Sequence, residues 1–120
     1  MMPMQPSCLF VIRHLPARLT VAAEILDQIL MAAAFDMPVS ILFMDAGVVT
    51  LTRGQIDGEP PALASMYGAL ALHDHVTMVV EDESMQALHL VPEDLCLPVS
   101  VMPRSELAAW MRQHDVMTGG

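Results

Sequence analysis

Apolar positions along this chain keep two alternating rhythms. Residues 8–13 (CLFVIR), 39–44 (VSILFM), 76–80 (VTMVV) and 98–102 (PVSVM) are short, nearly continuous apolar runs. Runs of that length and character mark strands buried on both faces. Between them the period lengthens. Leu19, Ala22, Ala23, Leu26, Ile29, Leu30 and Ala33 follow the spacing of one helical face, with Thr20 as its cap. Leu63, Met66, Tyr67 and Leu70 mark the buried face of a second helix, opened by Pro60 and Pro61. Residues 84–88 predict a short third helix. Residues 103–114 predict a last one, with Leu107, Trp110 and Met111 facing inward. Residues 36–38 close the first helix, because a residue before proline avoids helical geometry. Residues 48–51 read as a short extended piece, 52–61 as a surface loop, and 115–118 as a final edge strand.

Strands alternating with helices indicate an α/β fold. The expected architecture is a flavodoxin-like open parallel sheet of about five strands, order 2-1-3-4-5, with helices on both faces. It occupies residues 1–120 as a single domain, with 1–7 and 118–120 frayed. In that order the switch point falls between the first and third strands, and a crevice opens at their carboxyl ends. Arg13, His14, Asp45, Glu81 and Asp82 are the residues this topology places there.

Composition narrows the functional classes. The chain is 54% apolar and only 16% charged, above and below the usual shares for a soluble domain. Asp36, Pro38 and Asp45 interrupt its greasiest part, so no run is long enough to span a membrane. The surplus apolar surface is therefore expected to meet another protein, and the twelve methionines suit such adaptable surfaces. A net charge of −9 with five Lys plus Arg leaves no basic footprint for nucleic acid. No basic segment precedes the first apolar run, so a signal peptide is not expected; with two cysteines, the expected compartment is the reducing cytoplasm.

Candidate chemistry is sparse. Cys8 and Cys96 are the available thiols, but each is expected near the amino end of a strand, away from the crevice and from any helix start that would activate it. His73 and His75 form an H-x-H pair without further ligands at metal-site spacing, so neither a metal nor another cofactor is implied. Glu81, Asp82 and Glu83 suit a general acid or base, and equally the start of a helix, where acids stabilise the dipole. Arg13 and His14 suit a small anion or a partner contact. The terminal Gly119 and Gly120 lack the β-grasp context of ubiquitin-like carriers and read as a chain end.

Four blocks carry a family resemblance: the opening strand with AAEILDQILMAAAF, then ILFMDAGVVTL with Gly54-Gln55, LALHDHVTMVVEDESMQALHL, and LPVSVMPRSELAAWMRQHDV. Their order and spacing resemble the DsrE/DsrF family, in its DsrF/TusC branch. The resemblance implies a fold of the kind just described. In the catalytic DsrE/TusD branch a sulfur-accepting cysteine follows the third strand, and by spacing that position here is Glu81. It further implies a non-catalytic subunit of a sulfur-relay heterohexamer with DsrE/TusD-like and DsrH/TusB-like chains, serving tRNA 2-thiouridine synthesis or intracellular sulfur oxidation, and contact with a sulfur-carrier protein. The acids after position 81 and the early chain end depart from the family's pattern. Two other readings remain: a sulfurtransferase or carrier using Cys8 or Cys96, and a self-assembling small-anion binder.

Overall fold

The protein is described from a computed structural model. It covers residues 7–14, 19–52, 62–97 and 99–119, the side chains of 19–23, 62–64 and 119 excepted. Thr20, Leu63, Pro60, Pro61 and the Gly54-Gln55 loop thus lie outside the described residues or side chains. Five parallel strands form one sheet: β1 (Cys8–Ile12), β2 (Val39–Phe43), β3 (Val76–Glu81), β4 (Ser100–Met102) and β5 (Val116–Gly119). The helices are α1 (Leu19–Ala34), α2 (Ala62–Leu70), α3 (Asp82–Ala87) and α4 (Arg104–Met111), with short 3-10 turns at Asp45–Leu51 and Pro92–Asp94.

The α/β class, the parallel sheet and the helices on both faces are as the sequence predicts. The strand order is β4-β3-β2-β1-β5, so β2 rather than β1 lies beside β3. Pairing of β1 with β2 and of β2 with β3 joins strands that are consecutive in sequence, the commonest arrangement. β5 then adds to the free edge of β1, with Thr118 opposite Phe10 and Gly119 opposite Val11. Thr118 and Gly119 are therefore strand residues rather than a frayed end.

This order decides which face each helix covers. Three steps in one direction, β1 to β4, put their right-handed crossovers on one side of the sheet. There Leu26 and Ile29 of α1, Tyr67 and Leu70 of α2 and Met85 of α3 pack on Phe10, Ile41, Phe43 and Val80. The return from β4 to β5 runs the other way, so α4 lies on the opposite face. Its Leu107 packs on Leu9, Val11, Leu42 and Val79, with Trp110 and Met111 alongside. His114 fixes the end of this segment, its ring Nε2 lying 2.8 Å from the Ser40 hydroxyl.

Local chemistry sets the boundaries. Asp36, at φ 58°, ends α1: its N–H donates to the Ala33 carbonyl, and the Met37 N–H to that of Ala32. This left-handed cap satisfies the orphan carbonyls of the last turn. The expected extended piece at 48–51 is instead part of a 3-10 helix, whose three-residue period puts both Val48 and Leu51 into the core. Asp45 enters it at φ 52°, and the Gly47 N–H donates to the carbonyls of Arg13 and Met44. A Cβ on Gly47 would stand 2.0 Å from the Ile12 carbonyl oxygen, so only glycine lets these backbones approach. Leu30 and Met66, expected in buried faces, are each 46% exposed.

Gly47→Ala is accordingly expected to lower stability by about 3 kcal/mol or more, since the obstructing atoms are backbone. Urea unfolding of the two proteins side by side measures this; an unchanged midpoint would mean that the close approach is not required.

Candidate functional site

The crossovers also fix where a crevice opens. Chain leaving β3 turns to one face of the sheet and chain leaving the adjacent β4 turns to the other, so the switch point lies between β3 and β4. That is one step from the β1/β3 position expected from sequence. The two residues facing each other there are Glu81, which ends β3, and Arg104, which begins α4.

Glu81 is 1% exposed, with a 63% exposed Arg104 against it. The Arg104 Nη2 donates to Oε1 at 3.0 Å and the Nε to Oε2 at 3.2 Å, a bidentate pairing. The Ser84 hydroxyl donates to Oε1, and its oxygen accepts the Asp45 N–H at 2.8 Å. Glu83 accepts the backbone N–H of Arg104 at 2.8 and 3.0 Å, tying α3 to the start of α4. One connected network therefore holds the carboxyl ends of β2, β3 and β4.

Its electrostatics favour an ionised Glu81. The Arg104 hydrogen bonds hold its carboxyl below the usual 4.5, against the opposing effect of burial; Ser84 and the Arg104 charge add to the lowering, as does the charge of Arg13. The same partnership raises Arg104. A carboxylate so held is a poor general base, because its lone pairs are engaged and its proton affinity is reduced.

The other expected site residues are distributed around this pair. Arg13 and His14 follow β1 and are exposed. Arg13 acts on Glu81 through its charge, and Asp45 acts likewise on Arg104. The half-buried Asp82 turns to its own helix, accepting from the Gln86 side chain at 2.9 Å. Acids surround the pair, so the setting is a weak one for a free anion. Cys8 is buried at the amino end of the sheet, opposite Val39 and Val116, and burial raises its thiol pKa with help from Asp115. Cys96 is half-buried, its N–H donating to the Leu51 carbonyl next to the Thr52–Leu95 bridge. His75 lies at the amino end of β3, with its Nε2 2.9 Å from the Ala33 carbonyl. No group of three or more metal-binding side chains occurs among the described residues, and no helix among them is long and apolar enough to cross a membrane.

Ser84 and Arg104 are the partners of Glu81 that sequence reasoning missed. A signal was available: the third and fourth strands are neighbours in the expected order as well, so the residues just past their ends, Glu81 and Arg104, should meet. Ser84 carries no such signal, because its role depends on the turn of α3.

Comparison with known proteins bears on this geometry. The profile of the DsrE/DsrF-like family matches residues 7–118. A TusC homolog of Pseudomonas aeruginosa is 31% identical over 114 residues, covering 93% of this chain and 96% of its own length. The intracellular sulfur oxidation protein DsrF of Allochromatium vinosum is 35% identical over 86 residues, 69% of this chain and 62% of the relative. The crystal structure of the ychN protein from E. coli superposes with a TM-score of 0.75 at 17% identity, covering 98% of this chain and all of the other. A protein of unknown function from Methanobacterium thermoautotrophicum gives 0.70 at 15% identity, over 97% and 100%. At these identities the two structures speak for the fold alone.

Glu81 generates a pH-dependent prediction. Its folded pKa is depressed, so it contributes stability that is present above its unfolded value near 4.5 and is lost as the pH falls through the lower folded value. Glu81→Gln is expected to cost about 1–2 kcal/mol at pH 7, with the difference from the original protein shrinking in acid below that unfolded value. Unfolding free energies measured down the pH scale test it; a gap that widened in acid would reverse the assigned shift.

Proposed function

Because the chain belongs to the DsrE/DsrF-like family, with its relatives in the DsrF/TusC branch, we propose that it is a non-catalytic subunit of a cytoplasmic sulfur-relay complex. It would assemble with DsrE/TusD-like and DsrH/TusB-like chains, shaping the thiol site of the first and presenting surface to a sulfur carrier. The observation that carries this reading is the state of position 81, which the resemblance matches to the sulfur-accepting cysteine of the catalytic branch. Persulfide transfer needs a thiolate to attack the terminal sulfur, forming one S–S bond as another breaks and the donor departs as a thiolate. A carboxylate has no such chemistry, and here both of its oxygens are already hydrogen-bonded to Arg104 and Ser84.

Other features agree with a structural role. Neither cysteine belongs to the Glu81 network, and burial pushes the Cys8 thiol pKa up rather than activating it. Both are free thiols, which suits a reducing compartment. Exposed Leu30, Met31, Phe35, Met66 and Leu72 supply apolar surface that an assembly would bury.

Co-expression with the DsrE- and DsrH-like chains of the same organism is expected to give one complex by size exclusion with light scattering. Intact mass after treatment with a persulfide donor is expected to show no sulfur on this chain. A gain of one sulfur, abolished by Cys8→Ala or Cys96→Ser, would make it a carrier instead. A stable homo-oligomer that ignores the other two chains would favour a self-assembling binder.

A further inference from the structure

Leu30 and Met66 share more than unexpected exposure: they line one groove between α1 and α2, together with Leu26, Leu70 and Asp27. Its volume is about 230 Å³, below the roughly 300–1,000 Å³ of pockets that enclose small molecules. The groove therefore suits inserted side chains. Apolar surface continues around it, with Met31 63%, Phe35 68% and Leu72 84% exposed. The contact between the His75 ring and the Ala33 carbonyl keeps the end of α1 against the segment that follows α2, so Phe35 and Leu72 lie at the same end of the patch.

Charge says what covers it. Residues 19–52 and 62–97 contain no Lys or Arg. Among the described residues, the exposed Asp, Glu, Lys and Arg side chains on and just beyond the two helices are Glu24, Asp27, Asp36 and Asp74, all negative. A second copy docked face to face would set these acids against one another, and like charges across an interface oppose association. An occupant with basic flanks meets no such penalty. Two helices framing an apolar groove are the usual seat of an amphipathic helix. We propose that the α1–α2 groove docks an amphipathic helix of a different chain, its apolar stripe in the groove and its Lys or Arg residues facing these acids. This is the apolar face that the assembly reading leaves to be buried, and the inference adds to that reading the character of the surface that covers it.

The probe is a fluorescently labelled amphipathic Leu/Lys helical peptide, compared by anisotropy with its Leu/Glu counterpart on the full chain. The Lys peptide is expected to bind about tenfold or more tighter and to weaken as salt rises. Leu30→Glu with Met66→Glu should abolish its binding. That variant makes the protein more acidic, so attraction to net charge alone would instead strengthen binding. Leu30→Gln with Met66→Gln gives the same comparison without added charge, and thermal unfolding confirms that each variant folds. Equal binding of the two peptides, or binding that survives both pairs of substitutions, would overturn the proposal. Sedimentation of the chain alone supplies the other decisive outcome: an oligomer dispersed by these substitutions would make a second copy the occupant, overturning it as well.

Discussion

The Glu81 carboxylate, gripped by Arg104 and given a further hydrogen bond by Ser84, is the constraint on which the carboxyl edge of the sheet depends. A buried charge has to be paired and hydrogen-bonded or it destabilises the fold. Here the two partners come from different segments, and a third joins through one of them. Arg104 starts α4, Ser84 belongs to α3, and Ser84 in turn anchors the Asp45 amide after β2. Satisfying one side chain thereby sets how two helices on opposite faces leave neighbouring strands. The pair also spans the switch point that the topology creates between β3 and β4.

That edge is built from close backbone approaches as much as from side chains. Gly47 lets the turn after β2 touch the end of β1, and its N–H fastens to the Arg13 carbonyl. Asp45 accepts a left-handed backbone so that the following 3-10 helix can send Val48 and Leu51 inward. Beyond this edge the molecule is lopsided. Among the described residues three helices cover one face and α4 covers the other, and the outer sides of α1 and α2 keep apolar residues in water. A chain designed to work alone would have little reason to leave Phe35 and Leu72 so exposed. An assembly supplies one.

Much of this was legible in the residues. Apolar runs located β1 to β4 to within a few residues, and the 3.6-residue period located α1, α2 and α4, although the run at β4, expected to be buried on both faces, is largely exposed. Strand order was not legible in the same way. The runs of β1, β2 and β3 are alike in composition and buried on both faces over most of their length, so nothing in them says which pairs with which. The 3-10 helix at Asp45–Leu51 escaped because VVTL reads as strand by composition, while the cause of its conformation lies upstream, at Asp45 and Gly47. Leu30 and Met66 fit a helical stripe that is wider than one chain needs, and periodicity cannot tell a core from an interface. Glu81 was placed correctly at the end of β3. Its partner Arg104 lies 23 residues away and is found only by asking what the next strand brings alongside.

The central claim is that this chain supports sulfur transfer without carrying sulfur. Its most direct test is a single-turnover transfer from persulfide-loaded DsrE-like subunit to a carrier thiol. The assembled complex would be run with the original chain and with one bearing Cys8→Ala and Cys96→Ser. The account predicts equal rates and equal yields, because neither thiol takes part. A collapse of transfer in the cysteine-free complex, with assembly intact, would contradict it and make this chain a link in the relay.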